Sequence, residues 1–362
     1  MNKFAHLIVA SGLLLITLAV NVSMPLFGAY AAASHLNNGQ TSLVFASYVV
    51  GMLPCYIFLG GMSDRVGRKP VMIVSVCCAL IATAIITAWP TVFALIFARF
   101  FQGVGVGLGM SAGTAYISEL LWPDPGSATR AAGYASLFTA IGFGGGALTT
   151  SLLLLSHFTL TPASYYVLLV VTALGIVLLF TLKTLPPIGG GMIRLPYFPV
   201  GSLSVNIAIG ICWAATGIVI AIIPTQLSKF GLAAYAGICL ALVNWSGAII
   251  QPFIKRIDPL RSVRIGLILV PIGFALVIWG CHIGMIALVF SGTAIVGLAA
   301  YGFSYLGVLR WLQTWVGSRR RVRYRDICSS GILDLVYRRC SWVISQTGLA
   351  LSIHCCYLRA RS

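Results

Sequence analysis

Long apolar runs, separated by short polar segments, dominate the chain between residues 6 and 310. A helix needs about 20 mostly apolar residues to cross a bilayer. On this criterion the pattern predicts ten membrane-spanning helices, at residues 6–30, 41–61, 70–89, 91–121, 131–156, 163–186, 200–225, 231–253, 264–282 and 284–310. The runs lack the alternation of polar and apolar positions that is typical of a barrel strand. The predicted fold class is therefore an all-α, multi-pass integral membrane protein.

The composition agrees with this pattern. Of 362 residues, 59% are hydrophobic and 8% are charged, whereas a soluble chain has about 25% charged residues. So few charges cannot cover a water-facing surface, and we expect the lipid bilayer to cover most of the outside. The ten cysteines show no metal-ligand spacing, so the sequence predicts no metal site.

The formal net charge is +17. The basic residues are scattered between the spans until a cluster near the C-terminus, and this distribution disfavours nucleic acid as a partner. Short cytoplasmic loops carry an excess of Lys and Arg. With the N-terminus in the cytoplasm, Lys229 alone lies in an external loop. The basic residues of the cytoplasmic loops are Lys3, Arg65, Arg68, Lys69, Arg130, Lys183, Arg194, Lys255, Arg256, Arg261, Arg264 and Arg310. This distribution predicts a plasma membrane protein, most simply of a bacterial inner membrane, with a cytoplasmic N-terminus.

A segment rich in proline and glycine divides the chain after the sixth span. It opens at Pro186 and ends at Pro199, and such composition stops helices. The predicted organisation is an N-terminal six-helix bundle at 1–185, a cytoplasmic linker at 186–199 and a partial C-terminal bundle of about four helices at 200–316.

Between the second and third spans, residues 60–70 read GGMSDRVGRKP. A basic cytoplasmic turn would account for the arginines, but not for Asp64 or for Gly67 between two basic residues. Gly67 can adopt the positive φ that a tight turn needs. Asp64 can cap a helix end or pair with an arginine. If that pair forms and breaks, the loop becomes a joint with two arrangements.

This stretch resembles the signature loop of the major facilitator superfamily, G-x-x-x-D-R-x-G-R-[RK]. Its matching residues, here called the signature loop, are Gly60, Asp64, Arg65, Gly67, Arg68 and Lys69. Three further features agree, and the resemblance covers about residues 6–310. They are the R-x-x-Q-G pattern of Arg99, Gln102 and Gly103 in the fourth span, the acid and arginine Glu119 and Arg130 around the next loop, and the stretch from Asn21 to Pro25 in the first span.

The resemblance implies two six-helix bundles with a central site that opens alternately to each side. It implies a monomeric secondary transporter of small organic solutes, without a cofactor and without enzymatic activity. Two departures concern its drug-exporting branches. An acid of their first helix is replaced by Ile16, and Gly142–Gly146 lacks their proline. We interpret these glycines as helix-packing positions. No acid lies at mid-depth in the predicted spans, which argues against proton antiport through a buried carboxylate.

Polar residues within the spans mark a candidate cavity for a neutral or anionic organic solute: Asn21, Asn206, Trp213, Asn244 and Trp245. Any of them could instead join helices by hydrogen bonds. Arg99 is the one charge deep in a span. Two interpretations stay open for it: a binding or gating residue, or an arginine bonded to carbonyls of a neighbouring helix.

The composition changes at residue 317, where the resemblance would require further apolar helices. Residues 317–362 hold nine arginines, four cysteines and no lysine. One hypothesis is a reading frame lost near residue 317, so that helices eleven and twelve are missing and the chain is an inactive truncated transporter remnant. After the transporter and the inactive remnant, a membrane-embedded enzyme is the third hypothesis. No cluster of His, Asp or Ser at one membrane face supports it.

Overall fold

A computed structural model describes residues 4–34, 38–124, 126–187, 189, 202–254, 256–308 and 310–311. Within these residues the chain forms helices and no strands. The ten predicted spans correspond to α1 (Ala5–Ala33), α2 (Asn38–Phe58), α3 (Arg68–Ala88), α4 (Val92–Leu120), α5 (Ser127–Ser156), α6 (Ala163–Phe180), α7 (Leu203–Lys229), α8 (Ala236–Ile254), α9 (Pro259–Ile283) and α10 (Ile286–Val308). The all-α, multi-pass prediction is confirmed.

Nine helices of the described residues are long and apolar enough to cross a membrane. The remaining helix, α2, contributes an apolar segment at Leu43–Phe58. The largest difference from a predicted end is at α6, which ends at Phe180 rather than at residue 186. Pro186 and Pro187 lie six and seven residues beyond this end. Because proline disfavours the helical conformation of the preceding residue, the helix cannot easily extend to residue 186.

Helix α1 changes geometry within the span. It is α-helical over Ala5–Asn21, forms a 3₁₀ turn at Met24–Leu26 and is α-helical again over Phe27–Ala33. Pro25 has no N–H group to donate to the preceding turn. The break therefore leaves carbonyl groups of α1 open to donors from neighbouring helices.

The chain divides into two compact units. The first contains residues 1–194 together with 220–241, which form the end of α7 and the start of α8. In this unit Gly28 of α1 lies against the Pro224 carbonyl group, and Gly237 of α8 lies against the Ala147 carbonyl group of α5. The second unit contains the described residues within 195–219 and 242–311. The predicted bundle boundaries at residues 185 and 199 stay predictions.

Glycines let pairs of helices approach until their backbones touch. In the first unit, a methyl group added at Gly103 or Gly107 of α4 would overlap the backbone of α2. Gly142 and Gly146 of α5 meet the α1 carbonyl groups of Leu14 and Leu18 in the same way. The interpretation of the α5 glycines as packing positions is confirmed for Gly142 and Gly146.

The second unit packs α9 against α10 through glycines seven residues apart. Gly266, Gly273 and Gly280 lie along one face of α9, and Gly273 faces Gly292 of α10. Helix α10 widens into π-helical geometry over Leu298–Ser304, a feature that often occurs at functional sites. The tail at residues 317–362 and most of the linker at 186–199 lie outside the described residues.

Candidate functional site

The signature loop forms a compact turn between α2 and α3. A short helix at Met62–Val66 is followed by Gly67, and α3 begins at Arg68. Gly67 has φ of 104° and ψ of 153°, which a residue with a side chain rarely adopts. The predicted positive φ is confirmed, and this turn places Asp64 and Arg68 side by side.

Arg68 is the centre of a cluster of charges. Its guanidinium forms an ion pair with Asp64, donates from Nη1 to the Ser63 hydroxyl group (2.5 Å) and pairs through Nε with Oε1 of Glu119 (2.9 Å). The side chains of Arg68 and Asp64 are 11% and 10% exposed, and that of Glu119 is 27% exposed. The cluster therefore joins the short helix to the end of α4 in a region that is largely shielded from water.

The other two basic residues of the loop have different surroundings. Arg65 is exposed. Lys69 extends to the end of α6, where its ammonium donates to the carbonyl groups of Phe180 (2.8 Å) and Leu182 (2.5 Å). Gly60 lies in the turn that precedes the short helix. The adjacent residues Arg68 and Lys69 therefore have different roles: Arg68 forms ion pairs, whereas Lys69 caps the end of α6.

Glu119 and Arg130, which flank the loop between α4 and α5, have different partners. Glu119 binds Arg68. Arg130 forms an ion pair with Asp124 at 2.6 Å, and the two side chains are 48% and 59% exposed. Exposed ion pairs of this kind contribute about 0–1 kcal/mol to the free energy of unfolding. Glu119 therefore belongs to the charge cluster, whereas Arg130 and Asp124 form a separate surface pair.

The helix-four pattern consists of Arg99, Gln102 and Gly103, and its first two side chains contact α1 where that helix changes geometry. Arg99 is 1% exposed and donates from Nη1 to the Val20 carbonyl group (2.9 Å) and to Oε1 of Gln102 (3.0 Å), and from Nη2 to Sδ of Met24 (2.7 Å). Gln102 in turn donates to the Ala19 carbonyl group (2.7 Å). The guanidinium carbon lies 4.7 Å from the centre of the Phe27 ring, a favourable cation–π distance.

Of the two interpretations of Arg99, the observed contacts match an arginine bonded to a neighbouring helix. Together, Arg99 and Gln102 supply donors to two carbonyl groups where α1 changes geometry. Gly103, the last residue of the pattern, lets α2 approach α4. A role of Arg99 in binding or gating stays a prediction.

The candidate cavity residues lie in different surroundings. In the first unit, Asn21 donates to the Phe143 carbonyl group of α5 (2.6 Å). In the second unit, Asn206 donates to the Ser202 hydroxyl group one turn earlier (3.0 Å), Asn244 is buried and Trp245 is half-buried. Asn21 thus makes the kind of helix-joining bond that was the alternative to a cavity role, whereas the bond of Asn206 is local to the start of α7.

Trp213 is the candidate cavity residue with the most open surroundings, at 43% exposed. Its ring meets Tyr301 edge-on, with 4.9 Å between ring centroids, and lies 6.4 Å from Tyr305. Gln251 of α8 donates to the Tyr301 carbonyl group (3.3 Å). These residues surround the π-helical segment of α10. A solute-binding role for the aromatic group stays a prediction.

Three participants were not expected from the sequence. Ser63 binds Arg68, Tyr116 of α4 donates its hydroxyl group to the Lys183 carbonyl group (2.7 Å), and Tyr301 contacts Trp213. Tyr116 lies one helical turn before Glu119, and this spacing is the one sequence signal that could have indicated it.

In the second unit, the turn between α8 and α9 corresponds in position to the signature loop between α2 and α3, but different contacts hold it. Asp258 caps α9 by accepting from the backbone N–H groups of Leu260 and Arg261 (3.1 Å each). Arg310, two residues beyond α10, donates to the carbonyl groups of Ile254 (3.3 Å) and Ile257 (2.6 Å). The corresponding turn is therefore held by hydrogen bonds from the Asp258 and Arg310 side chains to backbone groups. The described residues contain no group of three or more His, Cys, Asp or Glu that could hold a metal ion.

The comparisons with known proteins agree with these features. The model of the Major Facilitator Superfamily matches residues 9–324. The fold is similar to a crystal structure of a mutant of the nucleoside transporter NupG (TM-score 0.66, 13% identity, 95% of this chain and 89% of that chain). It is also similar to the xylose transporter XylE from E. coli in a partially occluded inward open conformation (TM-score 0.62, 14% identity, 96% and 88%) and to a D-xylose-proton symporter (0.59, 14%, 96% and 96%). No curated protein matches the chain.

Proposed function

Because the chain belongs to the major facilitator superfamily, we propose that it is a secondary transporter that moves small organic solutes by alternating access. The family consists of transporters rather than enzymes, and the apolar helices make the chain a multi-pass membrane protein. The finer parts of the proposal are the solute class, the conformational mechanism and the orientation in the membrane.

The observation that carries the mechanism is the cluster of Asp64, Arg68 and Glu119. Its ion pairs join two elements, the short helix before α3 and the end of α4. Opposite charges in a region poor in water attract strongly, but each charge also loses hydration. Such a cluster can therefore be stable in one conformation and separate into hydrated charges in another. This behaviour is what a joint with two arrangements requires.

The solute class follows from the charges of the spans. The acids among the described residues lie at helix ends or in connecting turns: Asp64, Glu119, Asp124 and Asp258. A cationic solute at mid-depth would have no carboxylate to pair with there, so we propose a neutral or anionic organic solute. Nucleosides and xylose, which the proteins of similar fold carry according to their names, are small organic solutes of this kind.

We also propose that the chain is a monomer in a plasma membrane, in the bacterial case the inner membrane, with its N-terminus in the cytoplasm. The support for the orientation is the excess of Lys and Arg in one set of loops. The signature loop would then face the cytoplasm.

The test of the mechanism compares two Asp→Asn variants in vesicles that contain the purified full chain. Asp64→Asn removes an acid that is 10% exposed from the cluster, whereas Asp124→Asn removes an acid that is 59% exposed from a surface pair. We expect Asp64→Asn to lower the uptake and efflux of any transported solute by about tenfold or more, which corresponds to 1.4 kcal/mol. The flux through Asp124→Asn should stay within about twofold of wild type, because exposed pairs contribute little.

Equal flux through the wild type and Asp64→Asn would contradict the role of the cluster. If the well-inserted wild type moves no solute of a broad panel, transport itself is contradicted and the inactive-remnant hypothesis is favoured.

A further inference from the structure

The segment that leaves α6 lies against the signature loop. We call it the exit segment and define it as residues 181–187 together with Gly189. It begins after Phe180, where α6 ends, and its sequence from residue 181 is TLKTLPP. It contacts the short helix, α3 and α4, and none of the roles proposed above uses these contacts.

Lys69 of α3 makes the first contact. Its ammonium donates to the carbonyl group of Phe180, the last residue of α6, and to that of Leu182 in the exit segment. The last carbonyl groups of a helix have no intrahelical donor and carry partial negative charge. A lysine at this position therefore satisfies them both by hydrogen bonding and by charge.

Two further hydrogen bonds continue along the exit segment. The Tyr116 hydroxyl group of α4 donates to the Lys183 carbonyl group at 2.7 Å, and Tyr116 is fully buried. The Gly189 N–H group donates to the Asp64 carbonyl group at 3.1 Å. Pro186 and Pro187 between them have no N–H groups to donate. The exit segment is thus held at several points along its length by hydrogen bonds to Lys69, Tyr116 and Asp64.

The same three elements supply both the charge cluster and the contacts to the exit segment. Asp64 contributes its carboxylate to the cluster and its carbonyl group to Gly189. On α3, Arg68 belongs to the cluster and the adjacent Lys69 holds the segment. On α4, Glu119 belongs to the cluster and Tyr116, one turn away, holds the segment. A displacement of any of these elements that separates the cluster also shifts a contact of the segment.

We propose that the exit segment is a coupled part of the signature loop, with Lys69 and Tyr116 as its positioning residues. The segment is held while the charge cluster is intact and is released when the cluster separates. Release frees the exit segment, in which residues 181–187 alone span roughly 24 Å in extended form. The inference rests on the conformational role proposed for the cluster, and it makes the link after α6 adjustable in length instead of a constant tether.

Trypsin cleavage after Lys183 tests the proposal without any measurement of transport. Lys183 is exposed, and its carbonyl group is the one that accepts from Tyr116. The purified full chain in lipid nanodiscs is digested briefly, and the peptide that ends at Lys183 is quantified by mass spectrometry. Arg99 is buried in α4, so peptides that end at Arg99 report unfolded molecules and serve as the internal reference.

Lys69→Gln and Tyr116→Phe break the contacts directly. We expect the cleavage rate to rise about tenfold for Lys69→Gln and about threefold for Tyr116→Phe, because a charged donor contributes more than a neutral hydroxyl group. Lys69→Arg should stay close to the wild-type rate. Arg65→Gln is the matched control, since Arg65 is exposed and lies in the same loop.

Asp64→Asn separates coupling from simple attachment. It keeps the backbone carbonyl group that Gly189 binds and leaves Lys69 and Tyr116 in place, so only a coupled segment is released by it. We expect a rise of about threefold or more, with Asp124→Asn unchanged. If Asp64→Asn leaves the rate at Lys183 unchanged while Lys69→Gln raises it, the coupling is wrong. If Lys69→Gln behaves like Arg65→Gln, the attachment itself is wrong. Both results are independent of whether any solute is transported.

Discussion

At the scale of single residues, Arg68 shows that the strength of an ion pair depends on how far its surroundings exclude water. Its guanidinium serves Asp64, Ser63 and Glu119 within a shielded region. Arg130 and Asp124 form a pair of similar length, 2.6 Å, but about half of each side chain is exposed. Solvent and salt weaken the exposed pair, so the two pairs should respond differently when one acid is neutralised.

Glu119→Gln should lower the free energy of unfolding by about 1 kcal/mol, because one charged hydrogen bond to Arg68 is lost and Glu119 is partly exposed. Asp124→Asn should change it by less than about 0.5 kcal/mol. Both values can be measured by unfolding the purified protein with increasing SDS in mixed micelles. Equal losses in the two variants would show that shielding does not distinguish the pairs.

At the scale of helices, contact between backbones depends on glycine. Gly103 of the helix-four pattern faces the Tyr48 carbonyl group and the Met52 N–H group of α2. A methyl group there would overlap backbone atoms, which cannot move as a flexible side chain can. Gly133 of α5 has no atoms within 4 Å of such a methyl group and provides a matched control within a helix.

Gly103→Ala should lower the free energy of unfolding by about 1–3 kcal/mol, the usual cost of overpacking. Gly133→Ala should raise it by up to about 1 kcal/mol, because alanine favours the helix more than glycine does. SDS unfolding of the two variants measures both changes. A stable Gly103→Ala protein would mean that α2 and α4 can separate without loss.

At the scale of the whole molecule, the orientation in the membrane is testable with two lysines. Lys229, at the end of α7, and Lys183, after α6, are both exposed. The predicted orientation places Lys229 outside the cell and Lys183 in the cytoplasm.

A membrane-impermeant amine reagent added to intact cells should therefore modify Lys229 and leave Lys183 unmodified, and mass spectrometry of the purified chain can quantify both sites. In permeabilised cells Lys183 should react as well, which shows that it is reactive. Modification of Lys183 but not of Lys229 in intact cells would reverse the proposed orientation.

The sequence by itself determined the helical class, the places of the long apolar helices and the turn at Gly67. Lipid offers no hydrogen-bond partners, so a spanning backbone must form helices from long apolar runs, and those runs are visible residue by residue. The positive φ at Gly67 was equally local, because it depends on one residue that lacks a side chain.

Only the tertiary structure decided the partners of the site residues. Glu119 meets Arg68 rather than Arg130, Lys69 caps α6, and Arg99 with Gln102 binds the break in α1. Each of these contacts joins helices that are far apart in sequence. Their formation depends on how the helices are rotated and how closely glycines let them approach, and a pattern of residues along the chain contains neither quantity.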